Sequence, residues 1–423
     1  MTPAPVLAHA AHGNLLGAPE LFLEIGLLVV VGLTVLGLRA SWTAPRLEAA
    51  SAGHLLSGWS IPIGRVAVVV AAFVGAAVWV LALVAGLAAL DEPTENLAPF
   101  VASRSFLLGG GVVLALVFDG WWRAASPFAT VARALRELDD EYYRSPAPAW
   151  VAPAMVGSFL WLATAYHAGG QVRAVGVWFA LYTVAGLAGT VRWGRSWAEG
   201  GEGFADLFGA VGRLAPVARD AGSGRIRLRW PLTGVGAAEI GPGTVATLLV
   251  TGGGVAFGAL SSLDWWQLEV VQDRSGWGRT AVDTIGLAFT VGLAAVVWAS
   301  AQRVARSAGT GLVAVAAGVT VAFLLTDLLM RTVDVLALLS DPFGEGWDLF
   351  GTSDWFPDLR WQASPRLAWA EIAAITIGAV LAAVAAHDSA LSSGDRRRAA
   401  VVARAETAAT TVLALAALVL LLR

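Results

Sequence analysis

Residues 311–333 read GLVAVAAGVTVAFLLTDLLMRTV, a stretch typical of a helix that crosses a lipid bilayer. Such a helix needs roughly 20 mostly apolar residues, and its backbone groups must find hydrogen-bond partners within the segment itself. Nine further segments share this length and composition, so the sequence predicts an all-α integral membrane protein with about ten transmembrane helices. The predicted spans are 21–39, 66–89, 104–120, 149–166, 173–190, 242–261, 281–300, 311–333, 366–386 and 402–422.

The composition agrees with this fold. Hydrophobic residues make up 57% of the chain and charged residues 14%, whereas soluble domains carry about 25% charged residues. The absence of cysteine excludes disulfides, iron–sulfur clusters and thiolate chemistry. Every basic residue is arginine, which also excludes Schiff-base chemistry at lysine. We therefore expect one polytopic transmembrane domain over residues 1–423 in the plasma membrane, with the bilayer as its main partner and no nucleic acid.

The distribution of arginine predicts the orientation. Short loops rich in arginine mark the cytoplasmic side of a membrane protein. Here most arginines follow the odd-numbered spans, and acidic residues dominate the alternate loops. Some arginines, among them Arg104, fall on the opposite side. The overall bias predicts that both the N-terminus and the C-terminus lie outside.

Three segments between the spans carry their own patterns. Residues 191–241 form the largest predicted cytoplasmic insertion, in which arginines at 225, 227 and 229 alternate with apolar residues, as in a short strand or hairpin. Residues 130–143 have the pattern of an amphipathic interfacial helix. Residues 340–365 form an outer loop dense in Trp, Gly and Asp, which we interpret as a structured cap over the bundle.

Two glycine triplets lie within predicted spans, at 109–111 and 252–254. Small residues let membrane helices approach each other closely. The same residues permit the broken helices found in transporters. Both interpretations are open on the sequence.

The strongest candidate for function is the charged end of the span quoted first. Asp327, Arg331 and Asp334 are spaced by four and then three residues, so they share one helix face in the outer third of the span. Charges at that depth are costly unless they are paired or hydrated. Arg331 can neutralise both carboxylates and fix helix packing, or the three residues can bind a ligand or a proton. Further polar residues predicted near the outer face complete the candidate cluster: Asp283, Glu371, Asp341 and Asp348.

Histidines suggest a second kind of site. His9 and His12 are three residues apart in the outer N-terminal segment, and His167 ends the fourth span. Their imidazole nitrogens are suitable ligands for Zn or Cu. In the outer loop, Asp341, Asp348 and the intervening Glu345 offer oxygen ligands to a hard cation, although without the EF-hand spacing.

Several motifs resemble one family of actinobacterial multipass membrane proteins, whose members are commonly labelled fenitrothion hydrolases. The outer run SDPFGEGWDLFG at 340–351 is similar to the family's signature, and AHDSAL at 386–391 resembles its Ala-His-Asp-Arg-Ala-Leu. The family carries Ala-His-Tyr in the helix before the signature. The present chain has no histidine in that span, and Asp327 stands near the position. Shorter similarities are Trp122-Arg123 with Ser126-Pro127, Tyr182-Thr183, Trp193-Gly194 with Trp197, Arg213-Leu214-Ala215-Pro216, and Leu228-Arg229-Trp230-Pro231-Leu232.

The resemblance and the residues leave three functional hypotheses. The sequence favours a membrane subunit or scaffold of this family that binds membrane-protein partners. The family label implies a hydrolase of organophosphate triesters with an outer-face site, for which a metal-activated water is the usual nucleophile. The third hypothesis is a transporter that uses the face formed by Asp327, Arg331 and Asp334.

Overall fold

The computed structural model describes residues 19–138, 147–194, 196–220, 222–236, 240–392 and 395–423. Within these ranges the chain is mostly helical, and eight helices are long and apolar enough to cross a membrane. The helices, numbered in chain order, are α1 Glu20–Ser41, α2 Leu47–Ala50, α3 Ser60–Ala88, α4 Leu97–Val101, α5 Gly111–Val117, α6 Trp121–Ala125, α7 Pro127–Leu138, α8 Val151–Thr164, α9 Val172–Trp193, α10 Gly203–Gly212, α11 Pro242–Leu260, α12 Gly276–Val304, α13 Thr310–Ser340, α14 Pro365–Leu391 and α15 Arg396–Leu422. The eight of membrane-spanning length are α1, α3, α9 and α11–α15.

The third and fourth predicted spans form shorter helices than the other eight. The third consists of a seven-residue π-helical stretch, Arg104–Gly110, that continues into α5. The fourth is the 14-residue helix α8. A helix rises 1.5 Å per residue, so a helix of about 14 residues is shorter than a hydrocarbon core of about 30 Å. Helix length thus supports a multipass membrane protein through eight of the ten predicted spans.

Helix α13 forms the centre of the bundle. Of its most apolar window, 61% is buried, compared with 11% for α3 and 17% for α1 at the periphery. It packs against α14 and α15. At the crossing with α14, a Cβ placed on Gly318 would lie 3.1 Å from the Cα of Gly378. Small residues at this crossing therefore allow the two backbones to approach closely.

A small antiparallel sheet gathers loops at one end of the bundle. Strands β2 (Val217–Arg219) and β3 (Ile226–Leu228) form the hairpin that the alternating arginines predict. Strand β1 (His54–Leu55), from the connection between α1 and α3, pairs with the other edge of β3. This third strand was not predicted. Since the connections after α1 and α9 both carry many arginines, we call this the arginine-rich end.

The alternate connections meet at the opposite end. The guanidinium of Arg173, at the start of α9, lies 3.9 Å from the carboxylate of Asp91 after α3. Leu90 and the backbone of Glu95 contact the outer loop at Gly344. The two sets of connections that the sequence assigns to opposite sides of the membrane thus lie at opposite ends of the bundle.

The segment after α9 does not form a separate loop as a whole. The π-helical turn Trp197–Gly201 and helix α10 are packed inside the bundle, and nearly every residue of α10 is buried. The turn reaches Tyr182, near the middle of α9. The chain then returns to the sheet at the arginine-rich end. Residues 197–212, which precede the hairpin in the predicted cytoplasmic insertion, are therefore packed within the helical bundle. We call residues 197–212 the inserted segment.

The structure also shows the two glycine triplets and part of the predicted interfacial helix. Helix α11 continues through 252–254, where Gly253 contacts Val291 and Gly254 contacts Leu160, so two of these three glycines serve close packing, whereas Gly252 has no neighbour within 4 Å. The triplet at 109–111 lies in the π-helical stretch and the start of α5. The amphipathic pattern at 130–143 corresponds to α7 as far as Leu138, and its remainder lies outside the described residues.

Candidate functional site: polar centres inside the helical bundle

Glu202 lies at the N-terminus of α10 and is buried deep in the bundle. Its Oε1 accepts hydrogen bonds from the Tyr182 hydroxyl and from the backbone N–H of Phe204 at 2.9 Å. Its Oε2 accepts from the indole N–H of Trp122 at 2.8 Å and from the N–H of Ala205 at 2.9 Å. The carboxylate caps two free amides of the first helical turn and ties α10 to α6 and α9. With four donors around it, we interpret Glu202 as an anchor for the inserted segment.

Aromatic rings enclose this centre. Tyr182 lies 5.5 Å from Phe204 and 5.7 Å from Trp79 between ring centroids. Trp122 lies 5.7 Å from Phe204. Such rings exclude water, and in a water-free site an unsatisfied polar group is costly. The hydrogen bonds to Glu202 are therefore expected to matter for stability.

Asp206 forms a second buried polar contact one turn along α10. It accepts hydrogen bonds from the hydroxyls of Thr244 and Thr247, both at 2.6 Å, and so joins α10 to the start of α11. At the arginine-rich end, Arg229 pairs with Asp119 at 3.1 Å and donates to the carbonyl of Gly212 at 2.9 Å. Both ends of the inserted segment are thus held by charged or polar contacts.

The three charged residues on the predicted face of α13 do not all interact with one another. Arg331 forms an ion pair with Asp334 at 3.3 Å, and its guanidinium lies 5.1 Å from the ring centroid of Phe100. Asp327 instead interacts electrostatically with Arg104 of the π-helical stretch. The guanidinium of Arg104 packs against Gly258 of α11 so closely that a Cβ would not fit there.

The pair of Arg104 and Asp327 differs from the other charged contacts in the bundle. Both residues are only partly buried. Among the ion pairs and hydrogen bonds between described residues, none joins the side chains of Arg104 and Asp327 directly. By contrast, Arg331 and Asp334, on the same helix as Asp327, form a direct ion pair. Arg104 was not predicted as part of the site.

Glu371 and Asp283, the other membrane carboxylates of the predicted cluster, are buried and hydrogen-bonded. Glu371, on α14, accepts a hydrogen bond of 2.6 Å from the hydroxyl of Thr326. Thr326 directly precedes Asp327 on α13. Asp283 accepts from the indole of Trp266 at 2.9 Å and pairs with Arg279 at 3.3 Å. Trp266 precedes α12 and belongs to a separate small hydrophobic cluster with Ala165, Phe257 and Val271.

Asp341 and Asp348 hold the outer loop in shape. Asp341 accepts hydrogen bonds from the backbone N–H groups of Glu345 at 2.9 Å and Gly346 at 2.7 Å. Asp348 accepts from the N–H of Ser353 at 3.2 Å, and this bond lowers the pKa of the Asp348 carboxyl. These contacts support the interpretation as a structured cap, and a cation site here stays a prediction.

The histidine site is only partly covered by the structure. His167 shares a hydrogen bond of 2.8 Å between Nδ1 and the hydroxyl of Thr280, and its ring lies beside Trp277. His9 and His12 lie outside the described residues. Within the described part of the chain, no three His, Asp or Glu side chains are grouped closely enough to hold a metal ion. A Zn or Cu site that includes the N-terminal histidines stays a prediction.

Glu406 is a buried carboxylate that the sequence analysis did not single out. Its Oε1 accepts the N–H of Gly311 at 2.7 Å, at the start of α13. Its Oε2 and the hydroxyl of Thr310 are buried and have no hydrogen-bond partner among the described residues. Glu406, on α15, therefore lies beside the arginine-rich end of the central helix, and Asp327 lies in the other half of that helix.

The fold and these centres define a polytopic helical membrane protein with buried charged groups. Comparison with protein-family models, with curated proteins and with solved structures finds no match.

Proposed function

We propose that this protein is a membrane transporter that moves protons, and that Asp327 and Arg104 form its outer proton-binding site. The observation that carries the proposal is the placement of this pair. Asp327 on the central helix and Arg104 on the adjoining π-helical stretch carry opposite charges and are partly buried, and no ion pair or hydrogen bond between described residues joins them. Ionisable groups inside membrane helices often mark ion or proton pathways.

The contrast with the other carboxylates supports this choice. Glu202, Asp206 and Asp283 each accept at least two hydrogen bonds from neighbouring side chains or amides, so they stabilise the bundle. We assign proton exchange to Asp327 because, among the described residues, its carboxyl group forms no ion pair or hydrogen bond with another side chain. Glu406 is a buried carboxyl group beside the other end of α13, where it accepts the N–H of Gly311.

The proposed topology has ten crossings, with both termini outside and the arginine-rich end in the cytoplasm, in the plasma membrane. The separation of the two sets of connections supports it, as does the excess of arginine at one end. In this topology α5 with its π-helical stretch, α8 and α10 are too short to cross the bilayer fully, so some of their ends lie within the bundle. Helices of this kind form the binding sites of many transporters.

The test is proton flux into liposomes that contain the purified protein. An internal pH-sensitive dye reports acidification when potassium and valinomycin impose an inside-negative potential. Wild-type protein is expected to acidify the interior faster than empty liposomes, and Asp327→Asn to reduce the rate about tenfold or more, because the proton-accepting carboxylate is lost. Flux equal to that of empty liposomes would overturn the proposal.

The neighbouring ion pair supplies a matched control. Asp334→Asn removes a carboxylate from the same face of α13, but one that is already bonded to Arg331. It is expected to retain most of the flux. Equal loss in both variants would show that a general change of charge, rather than the pair with Arg104, affects the rate, and would contradict the assignment of the site.

A second candidate function, the membrane subunit or scaffold, is favoured by the outer loop. This loop is held by hydrogen bonds, yet it exposes large apolar side chains, with Phe350 70% and Phe356 83% exposed. Exposed apolar groups of this kind are typical of protein contacts. The other exposed large apolar side chains of this loop are Trp347, Leu349, Trp355 and Leu359. The hydrolase hypothesis rests on the family resemblance alone.

A loop variant tests the subunit role. Replacing Phe350 and Phe356 together by serine removes the two most exposed rings and leaves the bundle unchanged. If the loop binds a membrane-protein partner, native electrophoresis of mildly solubilised membranes is expected to show the protein shifting from a larger complex to its own size. Unchanged migration of the variant would contradict this role.

A further inference from the structure

A cavity of about 400 Å³ lies at the arginine-rich end, away from the pair formed by Asp327 and Arg104. Its walls come from the last turns of α1 and α14 and from the first turns of α15. The residues that decide its chemistry are Arg39, Trp42, His387 and Arg404, and Val35 and Leu38 contribute apolar wall. The cavity therefore combines two cationic side chains with an apolar surface.

The positive charge of this cavity is not balanced by nearby acids. None of the ion pairs between described residues includes Arg39 or Arg404. Two carboxylates near these residues in sequence, Asp388 and Glu406, are buried and bonded elsewhere. Asp388 accepts bonds from the indole of Trp42 at 2.8 Å and the backbone N–H of Arg46 at 2.6 Å. Glu406 accepts the N–H of Gly311 at 2.7 Å. Among the described residues, Arg404 donates only from its Nε, to the carbonyl of Ala400 at 2.9 Å. Its two terminal nitrogens remain available to an anion.

The apolar wall continues onto the lipid-facing side of the protein. α1 is a peripheral helix, and Leu33 and Leu36, one to two turns before Arg39, are exposed. A ligand that places an anionic group between the arginines can therefore extend an apolar chain along α1. Arginine binds phosphate oxygens through paired N–H groups. Basic pockets between helices on the cytoplasmic side of membrane proteins bind anionic lipid headgroups.

We propose that this cavity binds the phosphodiester headgroup of an anionic phospholipid, with Arg39 and Arg404 as the phosphate ligands. The indole of Trp42, fixed by Asp388, forms part of the wall at the level of the headgroup, where tryptophan is favoured. The proposal does not depend on proton transport, since the cavity and Asp327 lie in different halves of the bundle.

The experiment is native mass spectrometry of the full chain in mild detergent, with phosphatidylglycerol or phosphatidylcholine added at equal concentration. The wild-type protein is expected to retain phosphatidylglycerol preferentially. The double variant Arg39→Gln/Arg404→Gln is expected to lose about tenfold or more of this binding, since both phosphate ligands are removed. The control Arg65→Gln/Arg303→Gln removes two exposed arginines that do not line the cavity, and is expected to bind like wild type.

Three results would overturn the proposal. Equal retention of both lipids would show that the headgroup charge is not recognised. Equal loss in the control variant would show a general effect of surface charge. Displacement of the lipid by glycerol 3-phosphate at equal concentration would identify a site for free phosphate compounds instead. Thermal unfolding of the variants distinguishes lost binding from lost folding.

Discussion

Replacing Glu202 by alanine is expected to lower the free energy of unfolding by at least about 4 kcal/mol, since each buried donor left without an acceptor costs about 1–3 kcal/mol. Four donors lose their acceptor: the Tyr182 hydroxyl, the Trp122 indole and two amides of α10. The aromatic rings around them exclude the water that would otherwise replace the carboxylate. The measurement is unfolding of the purified protein in mixed micelles by titration with dodecyl sulfate.

Two related variants grade this effect. Tyr182→Phe removes one donor together with its hydrogen bond and is expected to cost about 1 kcal/mol. Glu202→Gln keeps one acceptor oxygen but turns an amide nitrogen toward two donors, so its cost should lie nearer to that of alanine. Glu269→Ala, at an exposed glutamate, is the control and should be neutral. Equal stability of Glu202→Ala and Glu269→Ala would show that these bonds do not hold the inserted segment.

The long helices could be predicted because their signal is local. A run of apolar residues long enough to cross the bilayer has few alternatives to a helix, and eight of the predicted spans are such helices in the structure. The hairpin at β2 and β3 could be predicted for the same reason, from alternation along a few residues. Strand β1 could not, because it comes from a connection far away in sequence and has only two residues.

The inserted segment was missed because it is too short for the span criterion. Helix α10 has ten residues, so its apolar character reads as part of a loop. A local signal did exist: Glu202 directly precedes an apolar run, which is the position of a helix N-cap. Its partners, Trp122 and Tyr182, lie 80 and 20 residues away. No spacing in the sequence indicates that these three side chains meet.

The charged face of α13 shows which charge partners helical periodicity can predict and which it cannot. The spacing correctly predicts the contact between Arg331 and Asp334, since residues three apart are neighbours on a helix. It also suggests Arg331 as the partner of Asp327, whereas the charge that interacts electrostatically with Asp327 includes that of Arg104, from another segment. Arg104 counted only as an exception to the charge pattern. An arginine at the start of an apolar span, facing a helix with an unpaired acid, is the signal that could have identified it.

Valine in place of Gly176 is expected to destabilise the bundle by about 3 kcal/mol, the upper part of the usual range for overpacking. Gly176 of α9 faces Gly86 of α3, and a Cβ on Gly86 would lie 2.6 Å from the Cα of Gly176. The contact is between two backbones, so no side chain can rotate to make room and the helices must separate. Separation would also strain the bond of 2.9 Å between the Trp79 indole and the Thr183 hydroxyl. Dodecyl sulfate titration measures the change.

Gly32→Val is the matched control for this substitution. Gly32 also lies within a membrane-length helix, α1, but no atom lies within 4 Å of a Cβ placed there. Valine at this position adds only an apolar group on a peripheral helix and is expected to be neutral. A similar loss of stability in both variants would mean that valine itself, rather than the close crossing, is responsible. A loss confined to Gly176→Val would show that the crossing of α3 and α9 depends on direct backbone contact. Trp79 of α3 packs against Tyr182 of α9, which bonds to Glu202, so the position of these two rings would then depend on the same crossing.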